Sequence, residues 1–455
     1  MNKIILTGTL SIISFLTFSQ TNPAITAWLQ NTSGILGRHY ISGNSTAITD
    51  AVEANVQTVQ YSTNSVYVST NGIPAYITGP FLDGNPSLAT DQNAIFQFPL
   101  NPSQNTGIPT ATTGGNIGVF INGVALFDYR DGVAWNPTTS ALCGGPGNDP
   151  CPGGPMAVND WNRDAIPAEK AGFDCSKAHP AMGNYHHHQN PSAFNLDLTV
   201  ISTICDLYPS DGLYTIDVNQ HSPLIGFAYD GFPIYGAYAY TNTDGTGAIK
   251  RMQSSYSLRN ISTRTTSPTG ATVSSGPDVN TTYYLGYFRE DYEYIVASGD
   301  LDEHNGRFCI TPEYPNGTYA YFCTVDANHN SAYPYAVGPT FYGNKTGAKI
   351  TSTTETVTTY TAATTSISEN ANSFDKITVF PNPSNDFIAI QMNALAKETI
   401  EVNLYDFSGK LIQTTAILQG STIAYFDIQK LYAGEYLVKI GKDSNAITKT
   451  VSIAK

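Results

Sequence analysis

Gly118-Val119-Phe120-Ile121-Asn122-Gly123-Val124-Ala125-Leu126-Phe127 is the stretch on which the reading of the fold turns. Two short apolar runs flank Asn-Gly, the dipeptide suited to a two-residue type I′ turn because both of its central residues take positive φ. The stretch therefore predicts a β-hairpin. Outward from it, residues 58–61, 65–68, 214–218, 283–288 and 318–322 carry the same β-branched and aromatic character. No amphipathic pattern longer than two or three helical turns lies between residues 20 and 342, and no fixed-period repeat suggests a propeller or solenoid. The expected fold is all-β, with a large sandwich-like domain over 20–342.

The composition narrows the function classes. The 455 residues carry 36 acidic against 22 basic side chains, and only 13% are charged, while Tyr alone contributes 29. A balance of −14 argues against nucleic acid as a partner, since binding its backbone requires clustered Lys and Arg to displace counterions. The N-terminus has Lys3, then an apolar stretch from Ile4 to Phe18 and small residues at Thr17 and Ser19. That pattern predicts a signal peptide over 1–19, and no other apolar run reaches the ~18 residues needed for a membrane span.

Thr fills nine of the fifteen positions from 351 to 365, which predicts a Thr/Ser-rich linker over 343–374. Beyond it, 375–455 has eight Lys against eight Asp and Glu, so all of the excess negative charge lies before the linker, with all eight His and all six Cys. Short alternating segments at 377–380, 387–391, 400–405, 410–414, 423–427 and 434–440 predict a small Ig-like β-sandwich. Three blocks occur here in order: Val379-Phe380-Pro381-Asn382-Pro383-Ser384, Val402-Asn403-Leu404-Tyr405-Asp406-Phe407-Ser408-Gly409-Lys410-Leu411 and Leu431-Tyr432-Ala433-Gly434-Glu435-Tyr436-Leu437-Val438-Lys439-Ile440. They resemble the C-terminal sorting domain of type IX secretion cargo, of the type A-like kind. The resemblance implies passage through the periplasm, the type IX secretion machinery as partner, and a secreted or cell-surface destination.

In an exported chain, an even cysteine count reads as a disulfide framework. Cys309 and Cys323 flank Tyr314-Pro315-Asn316-Gly317-Thr318, where Pro315 selects a three-residue loop with Gly317 left-handed. That loop pairs 314 with 318 and hence sets Cys309 opposite Cys323. Cys143 with Cys151 would close a Gly/Pro loop, leaving Cys175 with Cys205.

The densest ionisable feature is Tyr185-His186-His187-His188. In an extended strand His186 and His188 share a face while His187 points the other way, so the pair can converge on a copper or zinc ion. His221 and His304 are candidates to complete it, with Tyr185, Asp302 and Glu303 as supporting groups; His179 lies seven residues before His186. Asp302 and Glu303 beside Arg307 serve equally well as a local charge pair ordering a loop. His39 and His329 receive no role.

These segments, with Phe120-Ile121-Asn122-Gly123-Val124-Ala125-Leu126-Phe127-Asp128, Trp161-Asn162-Arg163-Asp164-Ala165, the run from Ser222 to Gly236, Leu301-Asp302-Glu303-His304-Asn305-Gly306-Arg307, the run from Thr311 to Tyr319 and Tyr333-Pro334-Tyr335, resemble the YHYH-domain family of exported bacterial proteins. The third position of that family's naming motif is tyrosine; here it is His187. The resemblance implies no reaction. Two readings follow from the residues: a metal-binding β protein, acting as a hydrolase through metal-bound water or an oxidoreductase through copper beside Tyr185, and a non-enzymatic surface module that binds an unknown extracellular carbohydrate or protein through exposed aromatics.

Overall fold

The computed structural model describes residues 22–454 apart from 83–87, 146, 153–158, 362–376, 393–394, 397, 407–408 and 442–445. The expected signal peptide at 1–19 lies outside the described residues. Two compact units make up the chain, Met1–Tyr360 and Thr361–Lys455. Both are β-structured, and the longest helix among the described residues is the five-residue Ala165–Glu169.

The first unit is a sandwich. Its larger sheet has eight strands in the order His179–Ala181, Asn184–His187, Ala125–Phe127, Asn116–Phe120, Leu224–Ala228, Pro233–Tyr235, Thr318–Phe322 and Gly306–Cys309. Two pairings in it are parallel, Asn184–His187 with Ala125–Phe127 and Pro233–Tyr235 with Thr318–Phe322. The facing antiparallel sheet runs Ala348–Ile350, Ala94–Pro99, Ser65–Thr70, Val56–Tyr61 and Thr358–Tyr360. Buried side chains from both sheets, among them Val59, Val66, Val68, Phe96 and Phe98 from one and Val119, Phe120, Phe227, Ile234 and Tyr321 from the other, form a single core.

Several local expectations are corrected. The hairpin at Asn122-Gly123 exists, but only Gly123 has positive φ (81°), whereas a type I′ turn requires positive φ at both residues. The loop is instead three residues, 121–123, closed by a hydrogen bond from Phe120 N to Val124 O, with Asn122 Oδ1 accepting from Val124 N. Val119 consequently pairs with Ala125. Gly123 is confined to glycine because a Cβ there would lie 2.2 Å from Thr70 Oγ1. Segments 214–218 and 283–288 are not strands. The tract read as linker from 343 onward contributes both edge strands of the five-stranded sheet, Lys349 pairing with Phe96 and Thr359 with Gln60. Thr is a good strand residue wherever an open sheet edge accepts it, which composition alone does not reveal. The rest of that tract, 362–376, lies outside the described residues.

Cys143–Cys151 and Cys175–Cys205 are disulfides, whereas Cys309 and Cys323 are free and buried, contrary to the pairing expected of them. Cys309 stands opposite Thr318. Cys323 is therefore displaced by five positions, about 17 Å along the ladder, beyond the reach of an S–S bond. The connection between the strands spans 310–317 because Pro312 and Pro315 have no N–H with which to extend the ladder. Thr311 and Tyr314 hydrogen-bond each other within it, and Gly317 N donates to Tyr314 O in a second turn.

The second unit is a smaller sandwich. Thr378–Phe380, Phe387–Gln391 and Ile423–Asp427 form one sheet; Leu411–Ile417, Ile400–Asp406, Gly434–Ile440 and Ile447–Ile453 form the other. Ile388, Ile390, Phe426, Val402, Leu404, Val438 and Val451 fill the space between them.

Candidate metal centre

The His block lies at the edge of the eight-stranded sheet. Met182 and Gly183, with φ of 50° and 85°, join His179–Ala181 to Asn184–His187. Positive φ at both positions is the type I′ signature, so this two-residue loop is where that turn occurs. Its register places Ala181 opposite Asn184 and His179 opposite His186. The seven-residue spacing of the two histidines was the available signal, masked because Met-Gly lacks the usual Asn-Gly signature.

His186 and His188 share a face, with Nε2 atoms 3.1 Å apart. His179 completes a buried group of three whose ligand atoms all lie within 4.8 Å of one another. The Nδ1–H of His186 donates to Asn184 O at 2.8 Å, and that of His188 donates to Asp128 O at 2.6 Å. A carbonyl oxygen can only accept, so each Nδ1 carries the proton and each Nε2 of the neutral ring directs a lone pair at the shared centre. Burial, reinforced by the neighbouring His188 and His179, holds His186 well below the usual histidine value and keeps it a neutral donor. Phe127 stacks on the His186 ring at 3.8 Å, and Phe173 sets its ring against His179 at 5.0 Å.

Glu169, at the end of Ala165–Glu169, was not anticipated. Its Oε2 lies 3.3 Å from Nε2 of both His179 and His188. Asp164 caps the helix, accepting from Ile166 N at 2.9 Å and from the Tyr335 hydroxyl at 2.7 Å. No spacing rule links residue 169 to the His block; only the fold brings them together.

The other expected residues lie elsewhere. His221 packs against Tyr235 and Tyr240 with Nδ1 on Ser222 O, and His304 Nδ1 meets Thr340 Oγ1 at 2.7 Å. Neither joins the cluster, and His179 takes the place expected of them. Asp302 orders its own loop, accepting from His304 N and the Tyr319 hydroxyl, while Glu303 lies 3.9 Å from His304. Tyr185 faces away, its hydroxyl donating to Asp174. His187 is fully buried on that opposite face, with Nε2 2.7 Å from the Tyr76 hydroxyl, and burial pushes it down to about 3.

The loop bearing the three histidines is held from both ends. Cys175–Cys205 spans it. Inside that bridge the buried Lys177 Nζ meets Asp197 Oδ1 at 2.5 Å and Ser192 Oγ at 3.3 Å.

This architecture defines a β-sandwich protein with a histidine-rich edge hairpin. Residues 95–333, more than half of the chain, match the family described as YHYH protein, and the chain belongs to that family. Residues 378–454 match the secretion system C-terminal sorting domain, which marks the protein as type IX cargo, secreted or displayed at the cell surface. No curated protein matches the chain. Among the described residues, no helix is long and apolar enough to cross a membrane.

Proposed function

We propose that the YHYH unit is an extracellular metal-binding module in which His179, His186 and His188 hold a borderline divalent ion, zinc or copper. The observation that carries this reading is the convergence of three buried imidazole nitrogens, two of them fixed as donors by backbone carbonyls. Imidazole suits both ions, and the affinity order favours copper where supply permits. The alternative, a surface module recognising its ligand through exposed aromatics, draws less support: Tyr129, Tyr185, Tyr235, Tyr319 and Tyr321 are interior side chains. Among the described residues of the first unit, Tyr284 and Phe308 are the large aromatics left exposed.

Metal content of the full chain after zinc or copper loading tests the proposal. Alanine at 179, 186 or 188 is expected to abolish stoichiometric binding, whereas His187→Ala retains it. Equal losses at all four positions would mean a flexible His cluster acting by local concentration. Unchanged loading in every variant would eliminate the metal reading.

A further inference from the structure

We infer that Glu169 is the fourth ligand of this centre and closes it as a tetrahedral His3Glu site, so that the bound ion fastens the helix Ala165–Glu169 to the His hairpin and keeps no open coordination position. The inference rests on the metal reading above and commits it to a structural role, with zinc as the best-suited ion.

Ligands each about 2.0–2.1 Å from a tetrahedral ion stand about 3.3 Å from one another. Three separations here have that length: 3.1 Å between Nε2 of His186 and His188, and 3.3 Å from Glu169 Oε2 to Nε2 of His179 and of His188. A general base acting on a metal-bound water would stand one atom further out; Oε2 instead lies at ligand-to-ligand distance. Its bonding points the same way, since Oε2 is buried and has no aligned hydrogen-bond donor. With the Nδ1 protons of His186 and His188 directed at backbone carbonyls, both Nε2 lone pairs and a carboxylate oxygen converge. A cation turns that mutual repulsion into coordination. Closed four-ligand sets are the mark of structural zinc, whereas catalytic zinc keeps three protein ligands and a water.

The test uses the full chain. Zinc affinity is measured by competition with a chromophoric chelator for wild type and Glu169→Gln, and the cobalt(II)-substituted wild type is examined by visible spectroscopy with and without azide. A fourth ligand predicts an affinity loss beyond the 10 to 100-fold typical of groups outside the coordination shell. It also predicts an intense tetrahedral cobalt spectrum that azide leaves unchanged. Wild-type zinc affinity in Glu169→Gln, or a cobalt spectrum altered by azide, overturns the closed site while leaving the His triad standing. Failure of the wild type to bind zinc, cobalt or copper overturns both readings. The cobalt measurement needs no variant, so misfolding of Glu169→Gln cannot rescue the inference.

Discussion

The two units bury different chemistry. The interior of the C-terminal sandwich is almost wholly aliphatic, with Ser384 and Asn403 as the buried polar side chains among its described residues. The N-terminal unit buries the His triad, Lys177, Arg264, Asp128, Asp164, Asp174, Asp230 and Asp291. Arg264 and Asp291, each with a fully buried side chain, share a two-point ion pair. A sorting address needs a surface and a stable scaffold, which apolar alternation supplies. The charged groups enclosed by the N-terminal unit are costly to bury and therefore must be partnered.

The severest way to break this contrast is to remove one side of it. Deleting 375–455 is expected to abolish appearance at the surface and in the medium, while the remaining unit folds with Cys143–Cys151 and Cys175–Cys205 oxidised. Cell fractionation and thiol titration of the truncated protein read both effects; unchanged export would end the division of labour.

Lys177→Ala strands a buried carboxylate at Asp197 and should cost about 3–5 kcal/mol in the first unit. Denaturant melts resolved by unit should show the C-terminal transition unmoved. Leu404→Ala in the aliphatic core is the converse, at about 2–5 kcal/mol confined to the second unit. Cross-effects of similar size in either variant would show that the units do not unfold separately.

A smaller effect depends on pH. Burial raises Asp230 to about 6, although its carboxylate accepts from the Tyr321 hydroxyl at 2.6 Å and from Gly343 N at 2.8 Å. A carboxyl whose folded value exceeds its unfolded one stabilises fully below the unfolded value, near 3.8, and loses that contribution as pH rises through 6. Between pH 4 and pH 7.5 the wild type should therefore lose on the order of 3 kcal/mol relative to Asp230→Asn. Parallel pH profiles for the two proteins would remove the assignment. The second unit, poor in buried carboxyls, should show no such slope.

Legibility follows the same division. The alternation at 387–391, 400–405 and 434–440 identified strands of the sorting unit because the large apolar residues that recur with period two, Ile388 and Ile390, Val402 and Leu404, and Tyr436, Val438 and Ile440, are the ones that fill its core. The final strand, Ile447–Ile453, was missed because polar residues dominate its first half. Likewise, the alternation that sets His186 and His188 on one face and His187 on the other is local, as is the short Cys143–Cys151 loop, whereas Cys175–Cys205, 30 residues apart, followed only by elimination from a Cys309–Cys323 pair that does not form. The sequence by itself therefore determined the β class, the sorting unit, the short-range disulfide and half of the candidate site. Tertiary structure alone decided that His179 and Glu169, not His221 or His304, meet that pair, that Cys309 and Cys323 stay apart, and that 348–350 and 358–360 are sheet edges. Each of those outcomes depends on loop length, strand register and which edge remains open. These are properties of chain closure over tens of residues, whose entropic cost varies too slowly with length for spacing alone to select the partner.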